Sequence, residues 1–385
     1  MGFLQSQSIS ISVFLGIMLV ITLSNLFVIK RMSRLKKAIP GPMVSILIPA
    51  RNEEKNIFAC VTSLLNQDYS NIEVIVLEDC SSDRTMEILQ SLAKNSDNLR
   101  IIKGKALPKG WLGKHWACNQ LSMEAKGEIL FFTDADTVHS PSTVSFAVKA
   151  MQIEDLDLLS AVVKERTDTL GELLTVPFMV HSILSIFPLA LAYRTKFRAL
   201  SVTCGQFMMF KKESYCSIGG HESVRDHGVD DLSLGKLIKK AGMRWRLYNA
   251  SDLVECKMYE SFKDACAGFL KNYFALFEYR LIPAIFVWTW ILTINLFPLV
   301  MLILSISGTV TSPTIAISST VSVLFSIIFW FLASEKFGLS PLVVVLYPLI
   351  ATISSIIGYM SIIFHFFGCT KWKGRALVKK KSRFI

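Results

Sequence analysis

Apolar positions along the chain fall into two kinds of run. The first kind is long and almost free of charge: it occupies residues 9–29 and three later blocks at about 281–307, 313–333 and 341–367. Each can form a helix that crosses a bilayer core, which takes about 20 residues. The second kind is short and broken by polar turns, between residue 44 and about 260. Strands are predicted there at 44–49, 72–77, 99–102 and 128–133. Helices are predicted at 53–65, with Ile57, Val61, Leu64 and Leu65 on one face, at 83–93, entered through Ser81 and Ser82 as caps, and at 232–241, opened by Asp230 and Asp231. Strands alternating with helices predict an α/β fold on a mostly parallel sheet.

The pattern divides the chain into an anchor and basic flank (1–43), a soluble domain (44–260), an interfacial helix (261–280), membrane helices (281–367) and a basic tail (368–385). Residues 170–200 form a further apolar stretch broken by Pro177 and Pro188. Helices lying on the bilayer surface are expected there, with a buried helix pair as the alternative. Trp288, Trp290 and Trp330 are expected at the membrane interface.

Charge orients the anchor. Lys30, Arg31, Arg34, Lys36 and Lys37 come after the first apolar run, whereas a signal peptide carries its basic residues before it. The positive-inside rule then puts the N-terminus outside and the soluble domain in the cytoplasm, on a multi-pass protein of the cell membrane. Three further crossings would carry the tail outside, although Lys371, Lys373, Arg375, Lys379, Lys380, Lys381 and Arg383 are basic. The count of crossings is left open by this conflict.

The same clusters account for the composition. The 385 residues include 41 Lys+Arg and 30 Asp+Glu, a net charge of +11. Without the two clusters, 29 basic and 30 acidic residues remain. A domain without basic excess argues against a nucleic-acid partner. Eight scattered cysteines form no CxxC pair and read as reduced thiols.

Each polar cluster of the soluble domain comes directly after a predicted strand: Ala50-Arg51-Asn52-Glu53-Glu54, Glu78-Asp79-Cys80-Ser81-Ser82-Asp83 and Asp134-Ala135-Asp136. In parallel sheets ligands bind at the strands' carboxyl ends. Acidic clusters converging there, with Asp230-Asp231, make a negative cleft. An anionic substrate enters such a cleft with a divalent cation or with placed basic groups, and Mg²⁺ or Mn²⁺ suits carboxylate and phosphate oxygens.

The motifs I-P-A-R-N-E-E (48–54), L-E-D-C-S-S-D-R-T (77–85), G-K-H-W-A-C-N-Q (113–120), F-T-D-A-D (132–136), G-Q-F-M-M-F-K-K (205–212), G-G-H (219–221) and D-D-L-S-L-G-K-L (230–237) occur in this order. In them the chain resembles the family 2 inverting glycosyltransferases, over about 44–260. The loop P-K-G-W-L-G-K-H-W-A (108–117) is similar to that of hopene-associated glycosyltransferases. The layout, with W-K-G-R at 372–375, is also similar to bacterial glycosyltransferases of C30 carotenoid acids, the diaponeurosporenoate type. The resemblance implies a GT-A (nucleotide-diphospho-sugar transferase) fold, a divalent metal and a nucleotide-sugar donor. It implies that Pro49, Ala50, Arg51 and Glu53 line the nucleotide site, with Asp79 at the base or ribose. Lys114 would meet the diphosphate, Asp134 the nucleotide sugar and Asp136 the metal. Asp231 would be the catalytic base, with Asp230 where the family usually has Glu.

The expected reaction is transfer of a single sugar, with UDP-glucose as donor, to a lipophilic acceptor such as a carotenoid acid. A hopanoid or other glycolipid transferase and a polysaccharide synthase are the alternatives. Processive synthases carry Q-x-x-R-W after the acid pair; residues 267–273 here read A-G-F-L-K-N-Y. Lys271 either replaces the missing cation or is an interfacial lysine. His115 and Trp116 either contact sugar or pack the loop. His221 comes after two glycines at an expected acceptor-side turn, and His181 is expected in the core.

Overall fold

In a computed structural model, residues 2–37, 41–368, 371–372, 375–376 and 382–384 are described. Of the tail, Lys373, Gly374 and 379–381 lie outside these residues, as does Cys369.

The chain opens with α1 (Gly2–Val28), then β1 (Val44–Ala50), α2 (Ile57–Leu65), β2 (Ile72–Glu78), α3 (Thr85–Ala93), β3 (Leu99–Lys103), α4 (Gly113–Glu124) and β4 (Ile129–Thr133). The strands form where the apolar runs predict them. The helices begin later than predicted, because the polar residues after β1 and β2 bond to one another instead. The Asn52 and Glu54 amides donate to Ser81 Oγ (3.0 Å) and Asp83 Oδ2 (3.1 Å), and the Ser82 amide donates to Asn52 Oδ1 (2.8 Å). Ser81 and Ser82 are therefore not the caps of α3; the Asp83 carboxylate accepts from the Thr85 amide at 3.0 Å.

Next come β5 (Thr137–His139), α5 (Thr143–Glu154), β6 (Leu158–Val162), β7 (Lys164–Glu165), α6 (Leu170–Leu173), α7 (Pro177–Ser185), α8 (Leu189–Ala192), β8 (Phe207–Lys211), α9 (Lys212–Ser217), α10 (Asp230–Lys240), β9 (Trp245–Asn249) and β10 (Val254–Cys256). The main sheet has the order β3-β2-β1-β4-β8-β6-β9, with β8 alone antiparallel to its neighbours. β5, β10 and β7 form a small second sheet. Alternation along each strand sends side chains to opposite faces. Ile46, Ile48, Val74, Val76 and Phe131 join one core with residues of α2 and α5. Leu47, Ile75, Leu77, Leu130 and Phe132 join the other, which continues through Ala117 and Leu121 of α4 into Trp288 and Trp330.

Those two tryptophans belong to the long apolar helices near the C-terminus. After α11 (Phe262–Asn272) come α12 (Leu281–Ile306), α13 (Pro313–Phe337) and α14 (Val343–Phe367). Among the described residues α1, α12, α13 and α14 are long and apolar enough to cross a membrane. Trp288 (3% exposed) and Trp330 (1%) are buried rather than set at an interface. His181 stacks on Trp330 at 4.1 Å, inside this core as expected. The stretch 170–200 also departs from surface-lying helices. It breaks at its prolines into α6, α7 and α8, and α7 is buried against α1, α13 and α14. The main sheet and the bundle of long apolar helices thus share one apolar core.

Candidate active site

β1, β2 and β4 end side by side, and their pairing brings the polar segments beyond them together. Ala50 lies opposite Glu78, and the Asp79 amide donates to Ala50 O at 2.8 Å. Arg51 turns its guanidinium back to Asp79 O (2.5 Å) and Cys80 O (3.1 Å), stitching the two strand ends together. Asn52 (φ 52°) and Cys80 (φ 53°) take the left-handed conformation that these sharp exits need. Asp79 is buried at their junction. Glu53 anchors the loop from its backbone, donating to Thr85 Oγ1 at 2.8 Å.

β8 brings the distant acid pair to β4. In the antiparallel register Thr133 faces Phe207, so Gly205 and Gln206 lie beside Asp134. Asp231, in the first turn of α10, docks there: Oδ2 accepts from the Gly205 amide (2.8 Å) and Oδ1 from the Leu232 amide (2.7 Å). A Cβ at residue 205 would lie 3.3 Å from Asp231 Oδ2, so glycine permits this approach.

Lys114, one residue into α4, ties the clusters together. Its ammonium sits 2.5 Å from Asp134 Oδ1. Burial lowers its pKa, but the charges of Asp134 and Asp230 outweigh that and hold it well above the usual lysine value. Asp230 responds in kind. Burial raises its pKa, yet Lys114, His115 and His221 hold it well below the carboxylate range. His221 Nε2 is 3.5 Å from Asp230 Oδ2, and Tyr215 OH holds His221 Nδ1 at 2.7 Å. Asp231 behaves oppositely: burial, then the adjacent charge of Asp230, push it up to about 7. Two neighbouring carboxylates are thereby split into one held ionised and one poised near neutrality, the condition for a general base.

Asp136 lies two residues beyond Asp134, with its carbonyl bonded to the Lys257 amide at 3.2 Å. Beside this pair is Glu165 of β7, which the sequence did not single out. It is 4% exposed, and Gln206 Nε2 donates to its Oε1 at 2.7 Å. Burial pushes its pKa up to about 8, and the charges of Asp136 and Asp134 add to that. Its Oε2 is buried with no hydrogen-bond partner among the described residues. Asp134, Asp136 and Glu165 offer the carboxylate oxygens that a hard divalent cation takes, although among the described residues these oxygens are not gathered within 4.8 Å of one another. A second cluster, Cys118, His221 and Asp230, has atoms within 4.8 Å of one another. Its thiol and imidazole suit a softer ion than Mg²⁺.

His115 is buried (3% exposed) and pushed down to about 4 by burial, so it packs the loop as a neutral ring. Trp116 does likewise, donating Nε1–H to Lys105 O at 3.2 Å and meeting Trp111 edge-on. Lys271 lies in the last turn of α11.

Residues 45–219 match the glycosyl transferase family 2 model. The 4,4'-diaponeurosporenoate glycosyltransferase of Staphylococcus haemolyticus is 27% identical over 244 residues, covering 60% of this chain and 60% of the relative. The protein of the same name from Staphylococcus aureus is 28% identical over 235 residues, with the same coverage. The match thus spans three fifths of the relatives' length. Among solved structures, a mannosyltransferase from Pyrobaculum calidifontis in complex with GDP-Man and Mn2+ superposes at a TM-score of 0.52. The likeness covers 94% of this chain and 99% of that one at 18% identity, and it speaks to the fold. Sequence match and fold agree: residues 45–219 match the glycosyl transferase family 2 model, and the chain shares the GT-A fold of the archaeal neighbour.

Proposed function

We propose that the protein moves one sugar, glucose from UDP-glucose, onto a lipophilic acceptor held in the membrane, a carotenoid acid of the diaponeurosporenoate type. One observation carries this reading: the acid cluster lies on a sheet whose apolar core runs unbroken into the membrane helices. The names of the staphylococcal relatives point to the acceptor class.

In this mechanism Pro49, Ala50, Arg51, Glu53 and Asp79 hold the nucleotide at the ends of β1 and β2. Lys114 moves between Asp134 and the donor diphosphate, where its charge is worth most in a partly buried site. Asp134, Asp136 and Glu165 would supply carboxylate oxygens to a divalent cation, the kind of ion present as Mn2+ in the complex of the archaeal neighbour. The cation, when bound, neutralises charge on the departing diphosphate. Asp231 faces the acceptor and accepts its proton, while Asp230, kept ionised by Lys114 and His221, raises its basicity. A single attack from the face opposite the leaving group inverts the anomeric configuration. A carboxylate acceptor is already ionised, so Asp231 then orients it. The catalytic domain works at the cytoplasmic face of the cell membrane.

The test is to incubate membranes bearing the protein with labelled UDP-glucose, Mg²⁺ or Mn²⁺, and extracted isoprenoid lipids. Label in the organic phase supports the reading. Absence of labelled lipid with every nucleotide sugar tried refutes it.

A further inference from the structure

Among the described residues four helices are long enough to cross, yet their contacts assign them two different orientations. α1 and α13 run side by side in one direction. Gln5 Nε2 donates to Ser312 Oγ (2.8 Å), Ser12 Oγ to Ser318 O (2.7 Å), and Lys336 Nζ to Leu26 O (2.8 Å). The end of α13 belongs to the catalytic side, since Asn249 of β9 donates to Lys336 O at 2.6 Å. α12 runs the opposite way: it starts next to α11 and reaches α13 through the distant turn at 307–312.

α14 fits neither direction. It begins at Val343, six residues after Phe337 and therefore on the catalytic side. Its far end is bound to the same side. Ser361 Oγ accepts from the Phe274 amide (3.0 Å) and donates to Leu270 O (2.6 Å), and His365 stacks on Tyr279 at 4.6 Å. Beyond it, Arg383 O accepts from the amide of Leu281, the first residue of α12, at 2.8 Å. A straight helix of 25 residues is about 37 Å long, more than a bilayer core of about 30 Å. If α14 crossed, its ends would be that far apart along the bilayer normal. Its later half also stays shallow. Gly358 packs on Trp288, where a Cβ would collide with the indole, and Thr289 bonds Tyr359 at 2.6 Å. Trp288 is seven residues, roughly 10 Å, from the catalytic end of α12.

The outward face of α14 is apolar throughout. Leu342, Val345, Leu349, Ile356, Ile363 and Phe367 recur on one stripe, all at least 46% exposed, and no charged residue occurs between Lys336 and Lys371. Ile282 and Phe286, in the first turns of α12, are exposed as well. We propose that α14 is an in-plane helix whose outer face is embedded in the acyl chains of the leaflet on the catalytic side. The chain then crosses three times, by α1, α12 and α13. This rests on the reading of those three helices as membrane-spanning. It also removes the charge conflict: the basic flank after α1 and the basic tail come to lie on the same side as the catalytic domain.

The test uses the full chain in intact cells and in inverted vesicles. Epitopes are placed after residue 385 or at Gly308, in the turn between α12 and α13, and exposed Cys80 of the catalytic domain is probed with an impermeant maleimide. The expected result is that the tail epitope and Cys80 are reached from one side and the residue 308 epitope from the other. A tail epitope reached from the same side as residue 308 overturns the proposal. Catalytic domain and tail together outside would overturn the cytoplasmic orientation and leave the in-plane helix standing. As a second measurement, a fluorescent amino acid is placed at exposed Val345, Ile356 or Ile363. Equal quenching by nitroxide lipids of one depth supports an in-plane helix. A monotonic change in depth along the three sites overturns it.

Discussion

Replacing the proposed base is expected to weaken catalysis and strengthen the fold at once. In Asp231→Asn the carboxylate pushed up by burial and by Asp230 is lost. Its pKa moves from 3.8 to about 7, which corresponds to about 4 kcal/mol at about 1.4 kcal/mol per unit. Partial solvent contact and an amide NH₂ facing one of the two donating backbone N–H groups reduce the expected gain to about 2 kcal/mol. The raised value sets the sign. Below pH 4 the carboxyl is protonated in both folded and unfolded chains, and variant and parent are equally stable. Above it the unfolded chain ionises first, so the parent loses stability until the pH passes about 7. The variant's advantage should therefore grow between pH 4 and 7 and stay constant above. At pH 8 it amounts to roughly 4–8 °C in apparent midpoint for a domain of this size. Thermal unfolding of the detergent-solubilised protein at matched heating rates measures it. On the same samples kcat should fall about 10²–10⁴-fold with a hydroxyl acceptor, with donor KM little changed. With a carboxylate acceptor the loss should be smaller and the rise in rate through pH 7 absent. A variant less stable than the parent at pH 8, or one with unchanged kcat, would refute the assignment of a strained, poised Asp231.

Other groups of the site make separate expectations. Lys114→Ala should lower kcat/KM for the donor by about 10–100-fold, with Lys114→Arg recovering part of it, as steady-state kinetics at varied UDP-glucose will show. Chelation should abolish transfer and Mn²⁺ or Mg²⁺ restore it, whereas Asp136→Ala should stay inactive at any metal concentration, checked by labelled-donor turnover. His221→Ala should leave Asp230 and Tyr215 without their imidazole partner, lowering kcat about tenfold and shifting the pH–rate profile. Gly358→Ala should destabilise the helix bundle by about 1–3 kcal/mol through its clash with Trp288, measured as a lower unfolding midpoint.

How much of the molecule is legible in the sequence depends on how each signal is written. β1, β2 and β4 are continuous apolar runs because a parallel sheet covered on both faces needs them. The acids beyond them, Asp79, Asp134 and Asp136, could be placed at strand ends without a structure. The roles of Lys114 and Asp231 came from motif resemblance, since the antiparallel insertion of β8 is what brings Gly205, and with it Asp231, beside Asp134. Glu165 carried no signal, as it lies in a two-residue strand whose partners are nearly a hundred positions away. The helix starts were missed because Glu53, Glu54 and Asp83 serve the loop hydrogen bonds rather than a first helical turn. Hydropathy could not separate α14 from the helices that cross. Length and apolarity are the same whether a helix lies in lipid or through it, and only Ser361, His365 and Gly358 reveal where its ends and later half are held.

The most direct measurement is mass spectrometry of lipids extracted after membranes carrying the protein, or its Asp136→Ala variant, are given UDP-glucose, Mn²⁺ and a carotenoid acid. The account predicts acceptor carrying a single hexose with the parent and unmodified acceptor with the variant. A water-soluble polymer as the product, or equal product from both proteins, would contradict it.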